Sequence, residues 1–213
     1  MKKIVCFGDS NTWGYNPADG TRFPPEIRWP RVLGNLLGDD YEIIEEGQNG
    51  RTICCEDPWE WGDKKGIDYI IPMVETHHPF DLLIIMLGSN DLKAKFHLPA
   101  GDIAGGLQNM LMRTISFLNV KCHASPKILV VAPPALKPGI AEGVFKEFFE
   151  GELSVSKSRD LAKWYKIVAD QFGVEFLDAS LYAEAGDTDS LHLTEPGHKA
   201  LASALAGKVR EIL

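Results

Sequence analysis

Apolar residues in this chain gather in two patterns. Unbroken runs stand at 4–7 (IVCF), 81–87 (DLLIIML) and 127–132 (KILVVA), with shorter pieces of the same kind at 41–46 (YEIIEE) and 174–177 (VEFL). Runs without alternation suit strands buried on both faces, as in a parallel sheet. Between them, apolar residues recur three and four apart, which is the spacing of a helix face. The pattern predicts helices at 29–37 (Trp29, Val32, Leu33, Leu36, Leu37, closed by Gly38), 67–76, and 103–120 (Leu107, Met110, Leu111, Ile115, Leu118). It continues at 140–149 (Val144, Phe145, Phe148, Phe149), at 156–172 closed by Gly173, and from Pro196 to the C-terminus. Pro30 falls in the first turn of the first helix, where its missing N–H is no loss. Strands alternating with helices specify an α/β fold, a parallel sheet with right-handed crossovers and helices on both faces. The 213 residues, 45% of them hydrophobic, suffice for one sizeable core, so a single domain over 1–213 is expected.

In such a sheet every strand points the same way, and ligands bind beyond the carboxyl ends. Polar residues just after each strand therefore carry the functional question. Ser10, in Gly8-Asp9-Ser10, is a nucleophile or an ordinary helix cap. The segment Gly47-Gln48-Asn49-Gly50-Arg51-Thr52 is a plain turn or a loop whose glycines turn backbone N–H groups toward a ligand. Asn90, in Gly88-Ser89-Asn90-Asp91, is a neutral amide donor for a developing oxyanion or an Asx-turn residue. Asp189 and His192 stand three apart, close enough for the carboxylate to orient the imidazole as a general base. The aromatics Trp13, Tyr15, Phe23 and Trp29 pack the loop after Ser10 or wall a pocket. For Phe145 to Phe149, subunit contact or pocket wall ranks ahead of plain core. Although far apart in sequence, the four polar loops converge on one sheet edge, and that convergence is the strongest inference from the residues alone.

Charge and cysteine usage narrow the class. A net charge of −8 argues against nucleic acid or an anionic membrane as partner, because phosphate binding needs a basic face. No apolar stretch approaches spanning length and no signal-peptide core follows Lys2-Lys3, so a cytoplasmic location is expected. Cys6, Cys54, Cys55 and Cys122 lack metal-ligand spacing and read as reduced thiols. No His/Asp/Glu cluster has ligand spacing, and no Gly-x-Gly-x-x-Gly or Walker-type loop occurs. Neither a metal nor a cofactor is expected. The absence of a Gly-x-Ser-x-Gly elbow around Ser10 sets aside the larger α/β-hydrolase template.

Gly8-Asp9-Ser10, the glycine loop after the second strand, Gly88-Ser89-Asn90-Asp91 and Asp189-x-x-His192 resemble, in order, the four sequence blocks of the SGNH hydrolases, also called GDSL esterases. CFGDSNTWGY, EEGQNGRT, LIIMLGSND and the APP after the fourth strand resemble its bacterial arylesterase and acyltransferase branch. The resemblance implies a flavodoxin-like strand order, 2-1-3-4-5, with the site at the switch point between strands one and three. It also implies Ser10 as nucleophile, Asp189 and His192 as the rest of a triad, and an oxyanion hole from the backbone N–H groups of Ser10 and Gly50 with the Asn90 amide. Gly47 is a rival to Gly50. Asn11 stands where the family usually has Leu; with Trp13 and Asn49 it is expected to line the substrate pocket. The implied activity is hydrolysis of short-chain acyl esters, with transfer to an alcohol as a side reaction, in a homo-oligomer. Rival readings are a carbohydrate O-acetylesterase, a lysophospholipase or thioesterase on the same triad, and, from another class, a non-catalytic flavodoxin-like binding module.

Overall fold

A computed structural model describes residues 1–213. Its strands are β1 (Lys2–Gly8), β2 (Tyr41–Gly47), β3 (Leu82–Met86), β4 (Lys127–Ala132) and β5 (Glu175–Asp178), all parallel, in the order β2-β1-β3-β4-β5. This is the order expected. The helices are α1 (Ser10–Trp13), α2 (Trp29–Leu37), α3 (Gly66–His77), α4 (Ala100–Phe117), α5 (Glu152–Phe172) and α6 (Glu195–Ile212).

The unbroken apolar runs divide by the pleat. Val5 and Phe7 of β1, Leu83 and Ile85 of β3, and Ile128 and Val130 of β4 face the core shared with α3, α4 and α5. Their neighbours Ile4, Cys6, Leu82, Ile84, Leu129 and Val131 face the core shared with α2 and α6. A strand with helices on both sides has no polar face, which is why its sequence does not alternate. The two cores make the three layers. All four cysteines are unpaired, and no helix is long and apolar enough to cross a membrane.

Register sets the functional edge. Gly8 pairs with Gly47 on one side and with Met86 on the other, so the central strands end flush. The chain leaves each of them at the same level, and Ser10, Gly50 and Asn90 start from one rim.

Two expectations change. The helix predicted at 140–149 is a 3-10 turn, Pro138–Ala141, followed by irregular turns. Gly143 weakens a helix there, and the chain instead runs beside 93–94, with Ala94 N donating to Phe148 O at 2.8 Å. Conversely, residues directly after Gly8 form a single-turn helix, α1, where a loop was expected.

Candidate active site

The short helix α1 presents Ser10. Asp9 caps it, accepting from Asn11 N at 3.0 Å, and Gly14, at φ +89°, ends it after one turn. Gly8 is needed behind it, because a Cβ there would stand 2.0 Å from Thr12 Oγ1. Past Gly14 the chain turns back so that the Tyr15 ring lies on His192, centroids 4.3 Å apart.

Between β5 and α6, the loop carrying Asp189 and His192 meets this helix. His192 Nε2 lies 2.8 Å from Ser10 Oγ and Nδ1 lies 2.6 Å from Asp189 Oδ2. An ionised carboxylate only accepts, so Nδ1 carries the proton and Nε2 offers its lone pair to the Ser10 hydroxyl. Asp189 Oδ1 accepts from the backbone N–H groups of Leu191 and His192 at 3.0 and 2.9 Å, closing the loop around its own carboxylate. Burial pushes the Asp189 carboxyl up, but the hydrogen bonds and charge of His192 outweigh it and hold the group below the usual carboxylate range.

Asn11 joins the two segments. Its Oδ1 accepts from Leu193 N at 2.9 Å and its Nδ2 donates to Leu191 O at 3.4 Å, bracketing His192 from both sides. The expectation that Asn11 and Trp13 line the pocket is corrected here. Asn11 is buried beneath the histidine loop and Trp13 packs outside, its ring 5.2 Å from the Arg22 guanidinium. Asn49 does line the cavity.

The other rim loops are tied to each other. Asn90 Nδ2 donates to Arg51 O at 3.1 Å, and both oxygens of Asp91 stand 3.0 Å from Ile53 N. One amide hydrogen of Asn90 remains for a ligand. Asp91 and Asp9 are buried, and desolvation raises them to about 7 and about 6. Arg51 points away from the cavity: its guanidinium lies 4.3 Å from the Phe7 ring centroid and 5.2 Å from that of Tyr69, and it donates to Gly8 O at 2.8 Å and to Glu46 O. Burial lowers it to about 10. Gly50, at φ +78°, lines the cavity, whereas Gly47 lies against the backbone of Trp13.

The cavity over Ser10 and His192 holds about 200 Å³. Tyr15, Phe145, Phe148, Phe149 and Leu191 give it an apolar wall, and Asn49, Gly50, Glu60, Asn90 and Lys93 a polar one. The three phenylalanines line this cavity, and Phe149 and Phe145 also pack on the core shared with α3, α4 and α5. Sequence reasoning missed Glu60 and Lys93. Glu60 lies in an irregular excursion between two tryptophans, and Lys93 follows the Asn90-Asp91 turn with nothing local to mark it. No group of three or more His, Cys, Asp or Glu is arranged to hold a metal ion.

Comparison with known proteins agrees with this geometry. The model of the GDSL-like lipase/acylhydrolase family matches residues 6–200. The aryl esterase of M. smegmatis is 40% identical with a TM-score of 0.92, each chain covered in full. A carbohydrate acetylesterase from Sinorhizobium meliloti is 35% identical, again with full coverage of both chains and a TM-score of 0.92. A lipase/acylhydrolase from Enterococcus faecalis, at 20% identity and TM-score 0.67 over 99% of this chain and 96% of its own, shares the fold. No curated protein matches the chain. With a serine, a histidine and an aspartate in hydrogen-bonding series at the rim of a 2-1-3-4-5 sheet, and a family match over nearly its whole length, the chain belongs to the GDSL-like lipase/acylhydrolase family, hydrolases acting on esters.

Proposed function

We propose that the protein is a serine esterase for short acyl groups such as acetyl, working through an acyl-enzyme on Ser10. The observation that carries this reading is the unbroken series Ser10 Oγ, His192 Nε2, His192 Nδ1, Asp189 Oδ2, with contacts of 2.8 and 2.6 Å, at the floor of a cavity.

In this mechanism His192 takes the Ser10 proton as Oγ attacks the ester carbonyl, forming the tetrahedral intermediate. The C–O bond to the alcohol then breaks and His192 Nε2 returns the proton to the leaving alkoxide. Asp189 stabilises the transient imidazolium without itself taking the proton. Water, or an alcohol in a transfer reaction, enters and the same steps run in reverse. The negative oxygen of each intermediate draws hydrogen bonds from the backbone N–H groups of Ser10 and Gly50 and from Asn90 Nδ2. Donors of this kind are each worth about 100 to 1000-fold in turnover.

The cavity supports the short acyl group. Its volume of about 200 Å³ is below the range of roughly 300 to 1,000 Å³ usual for drug-sized ligands, and its aromatic wall suits a methyl or ethyl group better than a lipid tail. A homo-oligomer fits the exposed Trp59, Trp61 and Phe148 on the loops that wall the cavity. A p-nitrophenyl ester series from acetate to octanoate tests the reading. Wild type should turn over acetate fastest and Ser10→Ala none of the series while unfolding at the wild-type temperature; turnover by the folded variant would dismiss Ser10 as nucleophile.

A further inference from the structure

The polar wall contains a carboxylate, a group that opposes a developing oxyanion unless its charge is answered. Glu60 reaches over Gly50: a methyl group on the Gly50 α-carbon would stand 3.1 Å from Glu60 Oε2. The charge is answered locally. Glu60 Oε1 accepts from Lys93 Nζ at 2.8 Å, Lys93 also donates to Asp57 Oδ2 at 3.0 Å, and Lys95 pairs with Asp57 Oδ1. Two ammonium groups face two carboxylates, so the network adds no net charge beside the reacting ester. Asp57 and Lys93 are buried, while the Glu60 side chain keeps 40% exposure at the cavity.

Lys93 therefore fixes one Glu60 oxygen and leaves the other, Oε2, without a protein donor at the edge of the site. A fixed acceptor with its charge already balanced is matched by a hydroxyl group. It repels an anionic substituent, and it has little long-range pull on a cation because Lys93 is bound to it. The phenylalanines that line the same cavity suit the apolar acyl group, which leaves the polar Glu60 to the alcohol part of the ester.

We propose that Glu60, held by Lys93, is the specificity-determining residue that accepts a hydrogen bond from a free hydroxyl of the ester's alcohol part, favouring partly acylated polyols, sugars among them, over esters with no hydroxyl. This rests on the esterase reading above.

The test follows acetate release from glycerol monoacetate, n-propyl acetate and choline acetate by wild type, Glu60→Gln and Glu60→Leu, with Ser10→Ala as the blank. Wild type should favour the monoacetate over propyl acetate by about tenfold in kcat/KM, the scale of a hydrogen bond to a charged acceptor at a half-exposed site. Glu60→Leu should bring that ratio close to one, and Glu60→Gln, whose one amide oxygen stays on Lys93 and whose NH2 group replaces the free acceptor with a neutral donor, should retain only part of it. Glu60→Gln is nearly isosteric and keeps a bond to Lys93, so it carries the test if the leucine disturbs the loop. The same ratio in wild type and both variants would overturn the subsite while leaving the esterase reading intact. So would a preference for choline acetate over the monoacetate that Glu60→Leu abolishes, since that marks a cation site. Wild type no more active than Ser10→Ala on all three esters would overturn the esterase reading, and the subsite with it.

Discussion

His192 and His198 lie close together in sequence and both are buried, yet their surroundings are opposite. His192 has a carboxylate on Nδ1 and a hydroxyl on Nε2. His198, in the first turns of α6, accepts the Trp29 backbone N–H on Nδ1 at 3.4 Å, has no partner on Nε2, and meets the edge of the Phe23 ring. Burial, with smaller contributions from the charges of His192 and Arg28, lowers the His198 pKa to about 3. The difference lies in the partner: in the proposed mechanism Asp189 is there to stabilise an imidazolium at His192, and His198 has no carboxylate beside it. His198 is a neutral core residue that closes the contact between α2 and α6.

The comparison breaks most sharply at the carboxylate. Asp189→Asn keeps the shape but removes the acceptor that fixes the His192 tautomer, and turnover on p-nitrophenyl acetate should fall by about 10,000-fold. A loss of less than tenfold would mean that Asp189 is structural. A smaller effect is expected at Asn11, whose amide brackets His192 through Leu191 and Leu193. Asn11→Leu removes both bonds without touching Ser10 or Asp189. It should lower kcat by about tenfold, the scale of one or two hydrogen bonds, with KM little changed. A change confined to KM would place Asn11 in binding instead.

The smallest effect on activity is expected at His198, where the readout is stability. The folded protein keeps His198 neutral down to about pH 3, whereas the unfolded chain takes up a proton below about pH 6.5. The unfolded state then holds more protons across that window, so stability falls as pH drops through it. Asp9 and Asp91, raised to about 6 and about 7, act in the opposite sense: the folded state holds their protons more tightly, and their contribution weakens as pH rises from about 4 toward 7. In urea unfolding, His198→Gln should lose less stability than wild type between pH 7 and pH 5, with turnover at pH 7 near wild type. An equal loss would mean that His198 does not govern the acid side.

The floor of the site was legible in the sequence because it is built from short, local devices. Ser10 follows the apolar run of β1, Asn90 that of β3, and Asp189 lies three residues before His192, so parallel topology alone brings them together. The walls were not legible. The aromatic segment around Phe145 has helical spacing but is shaped by Gly143 and its pairing with 93–94, partners that no local window contains. Asn11 stands directly after Ser10 and invited a pocket role. Its bonds reach backbone groups at the far end of the chain, which only the fold juxtaposes. Glu60 carries no pattern at all, and its importance arises from Lys93 and from the bare α-carbon of Gly50 beneath it.

In the proposed mechanism Ser10 is the nucleophile and His192 its base. That assignment is tested most directly by intact mass and peptide mapping after brief exposure to an organophosphonate ester, on wild type and His192→Ala. One adduct, on Ser10, formed rapidly in wild type and far more slowly in His192→Ala, is the predicted result. An adduct on another residue, or equal labelling of Ser10 with and without His192, would contradict it.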